Sequence, residues 1–265
     1  MLEIAEQMCA IGRRAYARQL VTATEGNFSC RLGPESVLCT PTGTCKGFLR
    51  PVDLCVVDLQ GRQLSGLRRR SSEILMHLEL YRADPQIRAI IHTHPPFATT
   101  FAVLQPPREG QAPAEPSMRE ASCREGEAPA HRVAAPTEPH PAASVVPLPR
   151  PALDLAGVLP EGDVFLGEVP VAPYRTPGTP AMAEPLVPLL RDHVAAILQN
   201  HGAVTWGPDL ETAYILTETL EALCRVVFQA RQIGQVGRIP AGERQALAKL
   251  RAELRARAEP GNAER

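Results

Sequence analysis

Neither sign of charge dominates this chain: the formal net charge is −1 over 265 residues. That balance excludes the basic footprint of a nucleic-acid binder, and the run Arg68-Arg69-Arg70 is too short to restore one. It reads as a solvated turn. The chain also lacks any CxxC pair, and its seven cysteines are an odd number, so neither a zinc ribbon nor a complete disulfide framework is expected. Reduced thiols in a cytoplasm are the natural reading. No apolar stretch approaches the roughly 18 residues of a membrane span. Glu3 and Glu6 stand where a signal peptide needs positive charge. These absences predict a soluble cytoplasmic protein with no nucleic-acid or membrane partner. What the chain has is 44% hydrophobic content, enough for a sizeable core.

Ile4, Met8, Ile11 and Ala15 recur at helical spacing and predict an amphipathic helix over residues 2–20. "NFSCRL" and "SVLCT", joined by "GPE", and then "DLCVVDLQGRQLSG" with its Gln60-Gly61 turn, read as antiparallel strands. A helix is expected from Ser72 to about Arg82, capped by Ser71 or Ser72, with Ile74, Leu75, Leu78 and Tyr81 inward. Residues 106–151 hold 11 of the 27 prolines and no aromatic residue, a composition that cannot bury enough apolar surface to order itself. They also carry a near-repeat, "REGQAPA" and "REGEAPA". They are expected to form a disordered insertion within one domain spanning 1–265. "GDVFLGEVPVAPY" then reads as an alternating strand, "GTPAMAEPLVPLLRDH" as an irregular helix capped by Thr179, and "VAAILQNHG" as a buried strand ending at His201. Pro208 to about Gly234 is expected as a long helix. Leu247, Leu250 and Leu254 predict a helical tail over 238–265 that docks on this chain or a neighbour.

Within this frame "AIIHTHPP" places His92 and His94 two residues apart at a strand end, where they share a face and can chelate one cation. Two satisfied histidines at a strand end would look the same. Glu73 opens a helix, where the macrodipole favours its carboxylate, and His201 follows an apolar strand and precedes a glycine. Three imidazoles and one carboxylate make a zinc donor set, although a glutamate there is also ordinary capping chemistry. "EGNFS", "TPTG" and "RRSS" combine flexible and hydroxyl or amide residues, and Ser71-Ser72 beside Glu73 suit an anion. Taken together they point to a phosphorylated substrate next to a metal.

The ordered motifs "EGNFS", "TPTG", "SSE", "HTHP", "PGT" and "NHG" closely resemble the class II aldolase/adducin family, especially its fuculose-1-phosphate aldolase-like branch. The resemblance covers about residues 5–104 and 160–235. It implies a three-layer α/β/α fold with a central, mostly antiparallel sheet, commonly assembled as a cyclic tetramer. It implies one zinc ion per subunit on Glu73, His92, His94 and His201, and a phosphate pocket of Asn27, Thr42, Gly43, Ser71 and Ser72. The implied activity is cleavage of a ketose 1-phosphate to dihydroxyacetone phosphate and an aldehyde, with Glu73 as base. Other reactions of the same fold on sugar phosphates (epimerase, decarboxylase or dehydratase) and a non-enzymatic, adducin-like interaction protein are the alternatives.

The chain departs from that branch in its tyrosines. Fuculose-phosphate aldolases draw tyrosines from the loop after HTHP and from the C-terminal tail, whereas here the tyrosines are Tyr16, Tyr81, Tyr174 and Tyr214. The proton donor on the aldehyde side is therefore open. "SSE", where related ribulose-phosphate 4-epimerases resemble "SSD", favours the aldolase.

Overall fold

A computed structural model describes residues 1–104, 150–153 and 155–258, which belong to one compact unit. The expected disorder of the insertion and its near-repeat lie outside the described residues. Its last two residues are an exception and a correction: Arg150 and Pro151 open strand β6 (Arg150–Leu153), which pairs irregularly with the edge of β7 (Val169–Ala172). A proline is tolerated there because edge strands and bulges forgo ladder donors.

The described strands form one nine-stranded sheet in the order β4-β3-β2-β1-β5-β9-β8-β7-β6. β1 (Asn27–Arg31), β2 (Ser36–Cys39), β3 (Cys55–Asp58) and β4 (Gln63–Ser65) are the expected antiparallel meander. β1 then pairs with β5 (Ala89–Thr93), and β5 with β9 (Gly202–Gly207). β8 (Ala195–Leu198) is antiparallel to β9, and only the β7–β8 pairing is parallel.

The central strands are buried on both faces, which is why "AIIHT" and "AAIL" read as continuous apolar runs. Ile90, Ala196 and Leu198 join the core under α2 (Ile74–Ala83), while Ile91 and Phe28 face α1 (Leu2–Ala17). Ala195 and Ile197 face α3 (Pro96–Val103) and α4 (Leu210–Ile233). This period-2 division gives three layers, helix, sheet and helix, as the resemblance implies. Asp209 caps α4 by accepting the Thr212 N–H at 2.7 Å.

Several local expectations change. The segment expected as one strand at 162–174 is strand only over Val169–Ala172; Gly162–Leu166 is a single π-helical turn. Its alternation is genuine, with Val164 and Leu166 buried and Phe165 44% exposed. But Asp163 is drawn inward, accepting from Gly157 N at 3.1 Å and pairing with Arg244 at 3.2 Å, and the chain coils around it. The helix expected after Thr179 is two 3₁₀ turns, Pro180–Ala183 and Val187–Leu189, because Pro185 and Pro188 remove the donors a longer helix needs. α2 begins at Ile74, one residue later than Glu73 would need to occupy its first turn. Leu75 on that helix is only half-buried, and His77 and Leu80 take inward positions instead. The tail forms α5 (Ala241–Ala258); Leu247 is half-buried, but Leu250 and Leu254 are 43% and 39% exposed among the described residues, and Arg244 pairs with Asp163. No helix among the described residues is long and apolar enough to cross a membrane.

Candidate metal centre

Four elements converge at one end of the sheet. β5 carries His92 and, one residue past its end, His94. The β8–β9 turn carries His201, and Glu73 stands at the N-cap of α2. The turn is compact: Asn200 adopts φ +55°, and a side chain at Gly202 would lie 2.5 Å from the Thr93 carbonyl and 2.6 Å from the His94 ring. Only glycine lets the turn press against β5.

His92, His94 and His201 offer ring nitrogens that all lie within 4.8 Å of one another. Glu73 closes the group, with Oε2 3.5 Å from His92 Nε2 and Oε1 3.3 Å from His201 Nε2. All four residues assigned to the metal from the sequence are thus together.

The protonation pattern tests whether a cation fits. His92 Nδ1 lies 2.9 Å from the Ala203 carbonyl, which can only accept, so Nδ1 carries the proton. His94 Nδ1 lies 3.3 Å from a Glu25 carboxylate oxygen, which fixes the same tautomer. The two Nε2 lone pairs then face each other at 3.1 Å beside the Glu73 carboxylate. Neither ring escapes by protonation, because burial pushes the pKa of His92 well down and that of His94 below its ordinary value. Two facing imidazole nitrogens with no proton between them are what a divalent cation relieves, so the residues fit a metal.

Burial works against ionising Glu73, yet its hydrogen bond with His201 and the surrounding imidazoles outweigh that and hold its carboxyl at about 2. It is a carboxylate at neutral pH.

The expected phosphate residues gather nearby but in different states. Asn27, 2% exposed, is paired in register with His92 and donates Nδ2 to Glu73 Oε2 at 2.6 Å. In this structure its amide holds Glu73. A bridge between Pro41 and Arg70 lays the Thr42-Gly43 turn beside Ser71-Ser72. Thr42, Gly43 and Ser72 are exposed, whereas Ser71 is buried and accepts the Glu73 N–H at 3.3 Å. The "PGT" loop closes this side, with Gly178 packed against Ser72. At the other end of that loop Tyr174 and Arg175 line a cleft together with His201.

Two residues at the site were not singled out from sequence. Glu25 lay inside the quoted "EGNFS", and an acidic residue three after Thr22 was the available signal. Lys46, 1% exposed, donates to Thr24 O at 2.6 Å and Thr44 O at 3.0 Å, and burial pushes its ammonium down to about 8. Nothing in the local pattern marks it.

The model of one family, the class II aldolase and adducin N-terminal domain, matches residues 6–228, and the chain belongs to that family. It is 30% identical over 227 residues to the 3-oxo-tetronate 4-phosphate decarboxylase of Escherichia coli K12, covering 84% of this chain and 85% of that one. It is likewise 30% identical over 211 residues to the L-fuculose phosphate aldolase of Methanococcus vannielii, covering 80% and 88%. Among solved structures, YgbL of Klebsiella pneumoniae is similar at 28% identity and a TM-score of 0.72, covering 92% and 97%.

Proposed function

We propose that this chain is a zinc-dependent carbon–carbon lyase that breaks a sugar phosphate next to a carbonyl and leaves the enediolate of dihydroxyacetone phosphate. The observation that carries this reading is the pair of Nε2 lone pairs facing each other at 3.1 Å beside Glu73, at the sheet end where Ser71 and Ser72 gather. Three imidazoles and a carboxylate suit zinc, one per chain. A bound metal would supply Lewis-acid stabilisation of the developing negative oxygen.

The chain's residues do the rest. Ser71, Ser72 and the Thr42-Gly43 turn, with Asn27, bind the phosphate and spend remote binding energy on orienting the reacting carbons. Glu73 moves the proton. The hydrogen bonds that hold the carboxylate also make it a weak base, so release from His201 and Asn27 raises its basicity.

Two leaving fragments are compatible with this machinery. In aldol cleavage the carbon–carbon bond breaks with its electron pair passing into the carbonyl, and the departing carbon's hydroxyl must lose a proton as the aldehyde forms. Tyr81 and Tyr214 are buried, and Tyr16 packs on Phe48. Tyr174, in the cleft with His201, is left to hydrogen-bond that oxygen while solvent takes the proton. In decarboxylation of a 3-oxo acid phosphate the same electron pair comes from the bond to the carboxylate and CO2 leaves without that proton acceptor. Glu73, once it has taken a proton from solvent, then delivers it to carbon. The missing loop and tail tyrosines favour this second reading, and the similarities to a decarboxylase and to an aldolase are compatible with either.

The reading includes a cytoplasmic homotetramer. Metal-loaded protein incubated with ketose 1-phosphates and with 3-oxo sugar-acid phosphates should release dihydroxyacetone phosphate from one set, with CO2 or an aldehyde as co-product. No release from either set would overturn it.

A further inference from the structure

The two histidines of the HxH pair are backed differently. His92 lies within the ladder and rests on a main-chain carbonyl of β9, whereas His94 stands past the end of β5 and rests on the Glu25 side chain, Oε2 at 3.3 Å from Nδ1. That side chain is itself held. Its Oε1 accepts from Thr22 N at 2.8 Å and from Thr22 Oγ1 at 2.6 Å, and Glu25 N donates to Thr22 O at 3.1 Å. Beneath the loop the buried Lys46 ammonium donates to Thr24 O at 2.6 Å and ties it to the turn containing Thr44. At its end Gly26, at φ +73°, passes so close to β5 that a side chain there would lie 2.8 Å from the His92 carbonyl.

Burying a lysine ammonium is costly, and a short surface loop has no need of one for itself. The frame brings the Glu25 carboxylate to His94, just before β1 begins at Asn27. We propose that Glu25 is the positioning residue for His94. By accepting from Nδ1 it fixes the ring's tautomer and orientation, so that the Nε2 lone pair faces the cluster, and it strengthens that nitrogen as a donor to metal. Lys46 and Thr22 keep the carboxylate in place. This rests on the metal reading above.

The test is zinc affinity, measured by competition with chelators of graded strength on wild type, Glu25→Gln, Glu25→Ala and Thr22→Val, with melting of the metal-free proteins as the check on folding. Glu25→Ala should bind zinc about 10- to 100-fold more weakly, the range for outer partners of a ligating histidine. Glu25→Gln keeps an accepting oxygen and should lose less, and it carries the test if the alanine variant does not fold. Thr22→Val spares the carboxylate and should lose least. Long-range proton–nitrogen spectra of the loaded wild type should show the His94 proton on Nδ1. Wild-type affinity in both Glu25 variants, or an equal loss in Thr22→Val, would mean the carboxylate only braces its own loop and would overturn the inference. A wild type that takes up no zinc would overturn the metal reading, and this inference with it.

Discussion

β1 and α2 meet at two histidine-containing clusters, and the difference between them separates structure from chemistry. In the inner one, His77 is fully buried, its Nδ1 2.7 Å from Ser29 Oγ, which in turn lies 2.8 Å from the Tyr81 hydroxyl. A hydroxyl can donate or accept, so Ser29 serves both His77 Nδ1 and Tyr81, while His77 Nε2 is buried without a partner among the described residues and faces no second ring nitrogen. In the outer one, two residues back along β1 and one turn back along α2, Asn27 meets Glu73 and the ring nitrogens of His92 and His94 oppose one another. No donor is available between them. The inner set behaves as a polar rivet between strand and helix; the outer set is the one proposed to hold a cation. Burial of histidine therefore does not mark a metal site, whereas convergent lone pairs do.

If that division is right, damage to the outer cluster should cost chemistry and damage to the inner one stability. The largest effect is expected for Glu73→Gln, which keeps the size but removes the base. Solvent-deuterium exchange into dihydroxyacetone phosphate needs base and metal but no leaving fragment, and it should fall about 10²- to 10⁴-fold even when the variant is metal-saturated. Wild-type exchange in that protein would remove Glu73 as base.

Acid should strike both clusters in metal-free protein. Burial lowers the pKa of His77 to about 3 and that of His92 well below its ordinary value, while in the unfolded chain both titrate near 6.5. Below that pH the unfolded state takes up protons that the folded state excludes. Stability present at pH 7 is thus lost on acidification, by about 1.4 kcal/mol per pH unit for each histidine. Urea midpoints at several pH values measure this, and a midpoint that does not fall between pH 7 and 5 would contradict it.

Ser29→Ala removes the partner that His77 and Tyr81 share and should cost about 1–3 kcal/mol of stability while leaving zinc stoichiometry intact. Loss of zinc at full stability would break the comparison. The smallest effect is expected at exposed Ser72: Ser72→Ala should raise KM about tenfold, roughly the worth of one hydrogen bond to a charged group, with kcat less changed. A change in kcat alone would place Ser72 elsewhere in the chemistry.

Much of the outer cluster was legible because strand and turn geometry translate directly into spacing. His92 and His94 share a face by period 2, and "NHG" needs its glycine for a reason visible in the structure, the close approach of Gly202 to His94. Glu25 and Lys46 were illegible because their roles depend on loops that sequence spacing does not bring together. The Asn27–Glu73 contact spans 46 positions and follows only from the seating of α2 on β1. The misread stretches fail for one reason. Around Asp163 and between Pro180 and Pro188 the apolar pattern was correct about burial, but a buried side chain or a missing N–H donor decided the backbone. Periodicity reports which residues face inward, and regular hydrogen bonding must be available before it also reports the element.

The central claim is that the outer cluster is a metal centre, and elemental analysis of protein purified without chelator and reloaded with zinc tests it most directly. Wild type should carry about one zinc per chain and His92→Ala should lose most of it, because a three-ligand remnant exchanges metal readily. A wild type that neither contains nor takes up a divalent transition metal would contradict the account.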